Sequence, residues 1–104
     1  MMRGAICYHT FKEPDKRRPA LILTRNSAVP YLITITVAPI TTTIRDNDSS
    51  VWLDESDGMN KPCAINLDLI QTVPKNKLGK IITQLSDEKM QEVFSAIKFA
   101  FGYD

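Results

Sequence analysis

One segment of this 104-residue chain has helical periodicity, and it is the last. Met90, Val93, Phe94, Ile97 and Phe101 recur at i, i+3, i+4, i+7 and i+11, which places them on one stripe of a helix. Ser86 precedes the stripe as an N-cap, and Asp87 and Glu88 suit the positive end of the helix dipole. Leu85 can staple onto Met90, and Gly102 is a natural stop. A Met/Phe stripe at this spacing reads as core or dimer contact, not as a cofactor site. Everything before it is cut into short pieces by turn residues. The expected fold is therefore mainly β with a C-terminal α-helix: a small, strongly curved antiparallel barrel with the helix packed on it.

The pieces themselves read as strands. Residues 4–11 carry Ile6, Tyr8 and Phe11, and a turn follows at 12–16. Residues 19–23 are continuously apolar, as in a strand buried on both faces. Residues 31–37 are β-branched at most positions, which predicts a strand with Ile33, Ile35 and Val37 on one face and Thr34 and Thr36 on the other. A short strand is expected at 51–53, an extended segment over 63–73 interrupted by Asp68, and a last strand at 80–83.

Length allows one domain, residues 1–104, with a core that needs no metal or disulfide. No stretch reaches the ~18–20 apolar residues of a membrane span, and charges at Lys12, Glu13 and Asp15 come too early for a signal peptide. Cys7 and Cys63 read as free thiols, and the chain as cytoplasmic, with no membrane partner. The formal net charge of +1 argues at first against a nucleic-acid binder. That sum hides a polarised chain. Residues 9–25 hold Lys12, Lys16, Arg17, Arg18 and Arg25 against Glu13 and Asp15, whereas residues 46–57 hold five carboxylates and no Lys or Arg.

Several chemistries are excluded. There is no Gly-rich phosphate loop, no C-x-x-C and no H-E-x-x-H, and one histidine with two distant cysteines cannot assemble a conventional zinc site. His9 reads either as a packed strand residue or as a general acid or base. What remains is a pairing of basic residues (Lys16, Arg17, Arg18) with hydroxyls (Thr41, Thr42, Thr43), plus a lone Asp68 among apolar neighbours. Cationic donors for charge developing on phosphorus, with hydroxyls that fix a phosphate, suit metal-free cleavage of an RNA phosphodiester.

The order of motifs resembles the MazF/PemK toxin family. Arg3-Gly4 opens the first strand, and Arg17-Arg18-Pro19-Ala20-Leu21-Ile22-Leu23 follows. Then come Val37-Ala38-Pro39-Ile40-Thr41-Thr42-Thr43-Ile44-Arg45, Leu53-Asp54-Glu55-Ser56-Asp57-Gly58 and Leu67-Asp68-Leu69-Ile70-Gln71-Thr72-Val73. Leu78-Gly79-Lys80-Ile81 leads into Leu85-Ser86-Asp87-Glu88. The resemblance implies a homodimeric SH3-like barrel of the CcdB/MazF type. It also implies a sequence-selective endoribonuclease toxin cutting single-stranded RNA, without a cofactor or metal, to 2′,3′-cyclic phosphate and 5′-hydroxyl ends. A cognate antitoxin with a flexible acidic segment would neutralise it. Arg18 matches the catalytic arginine before Pro, as general acid or charge stabiliser, and Thr41 the threonine after Pro-Ile, as the phosphate-orienting hydroxyl. Lys16, Arg17, Thr42, Thr43, Arg45, Asp68 and Gln71 are the expected RNA contacts. The base is open between Asp68, His9 and neither.

The chain also departs from the pattern. The loop at 12–16 is short, a loop histidine of some PemK-like members has no counterpart, and Asn66 stands where some members have arginine. Two other readings stay beside the nuclease: a non-enzymatic CcdB-type toxin that binds DNA gyrase, which does not need Arg18 and Thr41, and a generic barrel interaction module.

Overall fold

The computed structural model describes residues 1–11, 17–44 and 46–103. The architecture follows from which residues can be buried twice. In β1 (Ala5–Thr10), β2 (Arg17–Ile22) and β3 (Thr34–Thr41), successive side chains enter different cores, as pleating requires. Ile6, Leu21, Ala38 and Ile40 belong to one cluster, and Cys7, Ala20, Ile22, Ile35 and Val37 to the other. The unbroken apolar run at 19–23 is the sequence trace of this arrangement.

Four shorter strands complete the sheet among the described residues: β4 (Ser50–Leu53), β5 (Cys63–Asn66), β6 (Gln71–Pro74) and β7 (Ile81–Gln84). All pairings are antiparallel, in the order β4-β5-β3-β2-β1-β7, with β6 also on β3. One edge of β3 is shared between two partners: β6 pairs from Thr34 to Val37, and β5 from Ile40 to Thr41. Pro39, which has no N–H to donate, falls in the gap between them. The result is a curled antiparallel half-barrel with one helix.

That helix, α1 (Asp87–Phe101), has Ser86 as its N-cap, whose hydroxyl accepts from the Lys89 N–H. It ends at Gly102, held at φ 68°. Val93 and Ala96 are buried, and Met90, Ile97 and Ala100 pack on the same cluster. Phe101 is not part of this line: it is 69% exposed, because Ala100 holds the inward position of the last turn.

Two strand expectations need correction. The third strand begins at Thr34, not at residue 31, and runs on to Thr41. The Tyr31 and Leu32 amides both donate to the Ala28 carbonyl in a tight turn, which removes them from a ladder and leaves Ile33 84% exposed instead of in the core. The extended segment over 63–73 is broken by a 3₁₀ turn, Leu67–Leu69. Asn66 Oδ1 accepts from the Asp68 N–H, and the Leu67 N–H donates to the Ser49 carbonyl, so the chain leaves β5 and re-enters as β6. Cys7 and Cys63 are free, buried thiols. Among the described residues no helix is long and apolar enough to cross a membrane.

Candidate active site

Where β2 starts and β3 ends, a cleft of about 380 Å³ opens between the sheet rim and the Leu67–Leu69 turn. Arg18, Thr41, Thr43, Asn47, Ser50, Asn66, Asp68 and Leu69 line it. β2 begins two residues before Pro19, so Arg18 is held on a strand and not in a loop. Pleating separates the two arginines. Arg17 shares a face with Tyr8, and its guanidinium lies 4.0 Å from that ring's centroid, whereas Arg18 reaches the cleft.

Thr41 ends β3 and starts a turn in which its Oγ1 accepts from the Thr43 N–H at 3.1 Å. That bond uses an acceptor lone pair and leaves the hydroxyl proton for a ligand oxygen. Asp68 projects from the 3₁₀ turn, exposed, with Oδ2 held by the Ser49 hydroxyl at 2.5 Å. Ser49 is itself 4% exposed, and its N–H and Oγ both contact Asn47 Oδ1, at 3.1 and 2.9 Å. Its single hydroxyl proton goes to the shorter, charged contact. The cleft thus holds a guanidinium, at least one free hydroxyl proton and an oriented carboxylate, which is the equipment for gripping a phosphodiester and the nucleoside beside it.

Of the expected site residues, Arg18, Thr41, Thr43 and Asp68 come together here. Thr42 turns to a smaller, mostly apolar pocket with Tyr8, Pro19 and Lys61, and Gln71 lines a separate cleft with His9 and Lys77. Lys16 and Arg45 lie outside the described residues. Asn47, Ser49 and Ser50 are not anticipated by the sequence reading, which marks Asn66 only as a departure from the family pattern. The only available signal was the Asx-turn composition of 46–50, which reads as a turn and carries no hint of Asp68. Among the described residues no group of three or more His, Cys, Asp or Glu side chains could hold a metal ion.

The model of the PemK-like, MazF-like toxins of type II toxin–antitoxin systems matches residues 2–101, and the chain belongs to that family. Among its relatives, endoribonuclease MazF3 of Mycobacterium tuberculosis is 42% identical over 90 residues, which is 86% of this chain and 87% of the relative. Endoribonuclease MazF of Staphylococcus saprophyticus is 35% identical over 88 residues, 82% of this chain and 73% of the relative. The solved structure of Mycobacterium tuberculosis toxin MazF-mt6 superposes with a TM-score of 0.89 at 38% identity, covering 96% of this chain and 98% of the other. A mycobacterial endoribonuclease solved in complex with its cognate antitoxin has the same fold, with a TM-score of 0.88 at 23% identity over 100% of this chain and 97% of that one.

Proposed function

We propose that this endoribonuclease toxin cuts single-stranded RNA, sequence-selectively and without metal, by attack of a ribose 2′-hydroxyl on the adjacent phosphorus. The 2′-hydroxyl gives up its proton to solvent as its oxygen bonds to phosphorus and the bond to the 5′-oxygen breaks, and the departing oxygen takes up a proton from solvent, so no net proton is gained or lost. The products are a 2′,3′-cyclic phosphate and a 5′-hydroxyl. Arg18 holds the negative charge that develops on the phosphoryl oxygens, and Thr41 donates its free hydroxyl proton to one of them. Asp68 accepts from the nucleotide beside the scissile bond. The observation that carries this reading is the convergence of Arg18, Thr41 and Asp68 on one cleft from three separate parts of the chain. The endoribonuclease relatives favour it over a gyrase-binding toxin or an interaction module.

The working unit is a homodimer in the cytoplasm. Tyr31, Ile33, Phe99, Phe101 and Tyr103 are all more than half exposed in one protomer, apolar side chains of the kind a second copy would cover. A sedimentation mass that stays at one 11.7 kDa chain across micromolar concentrations contradicts this. The antitoxin would lay a flexible acidic segment over the Arg18 cleft and compete with RNA. Protection of RNA by a cognate acidic peptide tests that, and unimpeded cleavage with the peptide bound elsewhere rejects it.

Incubation with a long mixed RNA in EDTA tests the nuclease reading. Discrete fragments are expected, and Arg18→Ala should slow their formation at least about 100-fold, the scale for losing one charge-stabilising donor, with an unchanged melting temperature. Loss of cleavage in EDTA removes the metal-free chemistry. Equal rates for the two proteins remove Arg18 from it.

A further inference from the structure

A second cleft lies on the same face of the sheet as Arg18, about 620 Å³ in volume, between the end of β1 and strand β6. Its walls include His9, Phe11, Gln71, Val73, Pro74 and Lys77. We infer that it is a nucleobase subsite, which takes the base of a nucleotide flanking the scissile phosphate and selects its identity. The inference rests on the nuclease reading above and adds a reader of sequence to it.

Position is the first argument. His9 pairs directly with Arg18 in the β1–β2 register, and directly paired residues point to the same face. Ala20 pairs with Pro39, so the same register continued by two residues sets Arg18 level with Thr41. His9, Arg18 and Thr41 thus form a row across three adjacent strands. The curl of the half-barrel brings β1 toward β6: Phe11 and Val73 share one buried cluster although β2 and β3 separate their strands. A phosphate held at Arg18 has the Asp68 cleft on one side and this cleft on the other.

Chemistry is the second. A nucleobase has apolar faces and an edge of donors and acceptors. The floor here is apolar, with Phe11 7% and Val73 5% exposed. His9 is 8% exposed, packs edge-on to Phe11 with ring centroids 4.7 Å apart, and its Nδ1 is buried with no hydrogen-bond partner among the described residues. An imidazole in that state is unexplained by packing, since a purely apolar ring would fill the place without stranding a polar atom. Gln71 donates its Nε2 to the Leu69 carbonyl at 3.3 Å, which orients the amide and leaves Oε1 as an acceptor for a base edge. Lys77 stands exposed at the rim, where the next phosphate of the strand would pass.

His9 is the only histidine in the chain, so its ring gives an unambiguous NMR reporter in untagged protein. The probe is a short single-stranded RNA spanning a mapped cut site, with a 2′-deoxy sugar at the cut to prevent cleavage. On titration the His9 ring resonances should shift together with the Arg18 and Thr41 amides. Changing the base at one position beside the cut should abolish the His9 shift while the other two persist. As a second measurement, the ratio of cleavage rates on two RNAs that differ only in that base should fall about fivefold or more in Gln71→Leu, whatever its overall rate. A probe that shifts Arg18 and Thr41 but leaves His9 still overturns the subsite. So does a Gln71→Leu cleavage map identical to that of the parent, or one reduced in rate at every site alike. If the probe shifts none of the three groups, the RNA reading itself fails and the subsite falls with it.

Discussion

At the scale of single residues, Asp68 depends on a neighbour 19 positions away. Its carboxylate is exposed and would sample several rotamers, but the buried Ser49 hydroxyl fixes Oδ2. Removing that hydroxyl takes away orientation and leaves no buried unpaired charge, because solvent reaches Asp68. Ser49→Ala should lower kcat/KM roughly tenfold, within the range of a hydrogen bond to a charged group, and move the melting temperature little. Ser49→Thr should restore the rate. Equal losses in both variants would show that Ser49 acts through packing alone.

The two thiols bear on stability. Burial pushes Cys7 and Cys63 above their ordinary pKa of 9.0, and Asp57 and Asp54 push Cys63 further the same way. The unfolded thiols ionise first as pH rises, so the folded chain holds more protons there. Their contribution is full below pH 9 and is lost as pH climbs through the raised folded values. Unfolding by urea should need less denaturant at pH 10 than at pH 8, and Cys63→Ala should flatten that dependence. A flat profile in the parent chain contradicts the account.

At the scale of elements, the Leu67–Leu69 turn matters most, since it sets Asp68 at the cleft and redirects the chain from β5 to β6. Leu67 is fully buried beneath it. Leu67→Ala should cost about 2–5 kcal/mol of stability, the range for truncating a buried leucine, and should impair cleavage in the surviving folded fraction by loosening Asp68. A well-folded variant with full activity would separate the turn from the site.

The same turn shows where sequence reading stops. Apolar and aromatic runs between turn residues locate β1, β2 and β4, and the N-cap and glycine stop bound α1, because these signals are local. The 31–37 run and the 63–73 run both carry strong strand propensity, yet each is interrupted by backbone bonds to turn or distant partners: Tyr31 N and Leu32 N with Ala28 O, and Leu67 N with Ser49 O. Propensity yields to such contacts. Residue types single out the basic run at 16–18, the threonines at 41–43 and Asp68 as carriers of the chemistry, and only the family resemblance picks Arg18 and Thr41 from among them. Ser49 and Asn47 are picked out by neither, since their importance is a tertiary distance.

At the scale of the whole molecule, the near-neutral charge conceals separation. Arg17 and Arg18 sit at the start of β2, while Asp54, Glu55 and Asp57 cap a 3₁₀ turn elsewhere, which Lys89 of α1 approaches at 3.9 Å from Asp57. Two such protomers would bring two arginine-bearing rims into one assembly, with RNA grip that weakens as salt rises. The strand would then run past the Asp68 cleft and the His9 cleft, and selectivity would come from base contacts there. Cleavage through the ribose 2′-oxygen is the central claim, and the ends of the fragments test it directly. RNA cut in EDTA should carry 5′-hydroxyls, which ligate only after phosphorylation by a kinase, and 2′,3′-cyclic phosphates on the other side of the cut. Fragments with 5′-phosphates and 3′-hydroxyls would contradict it.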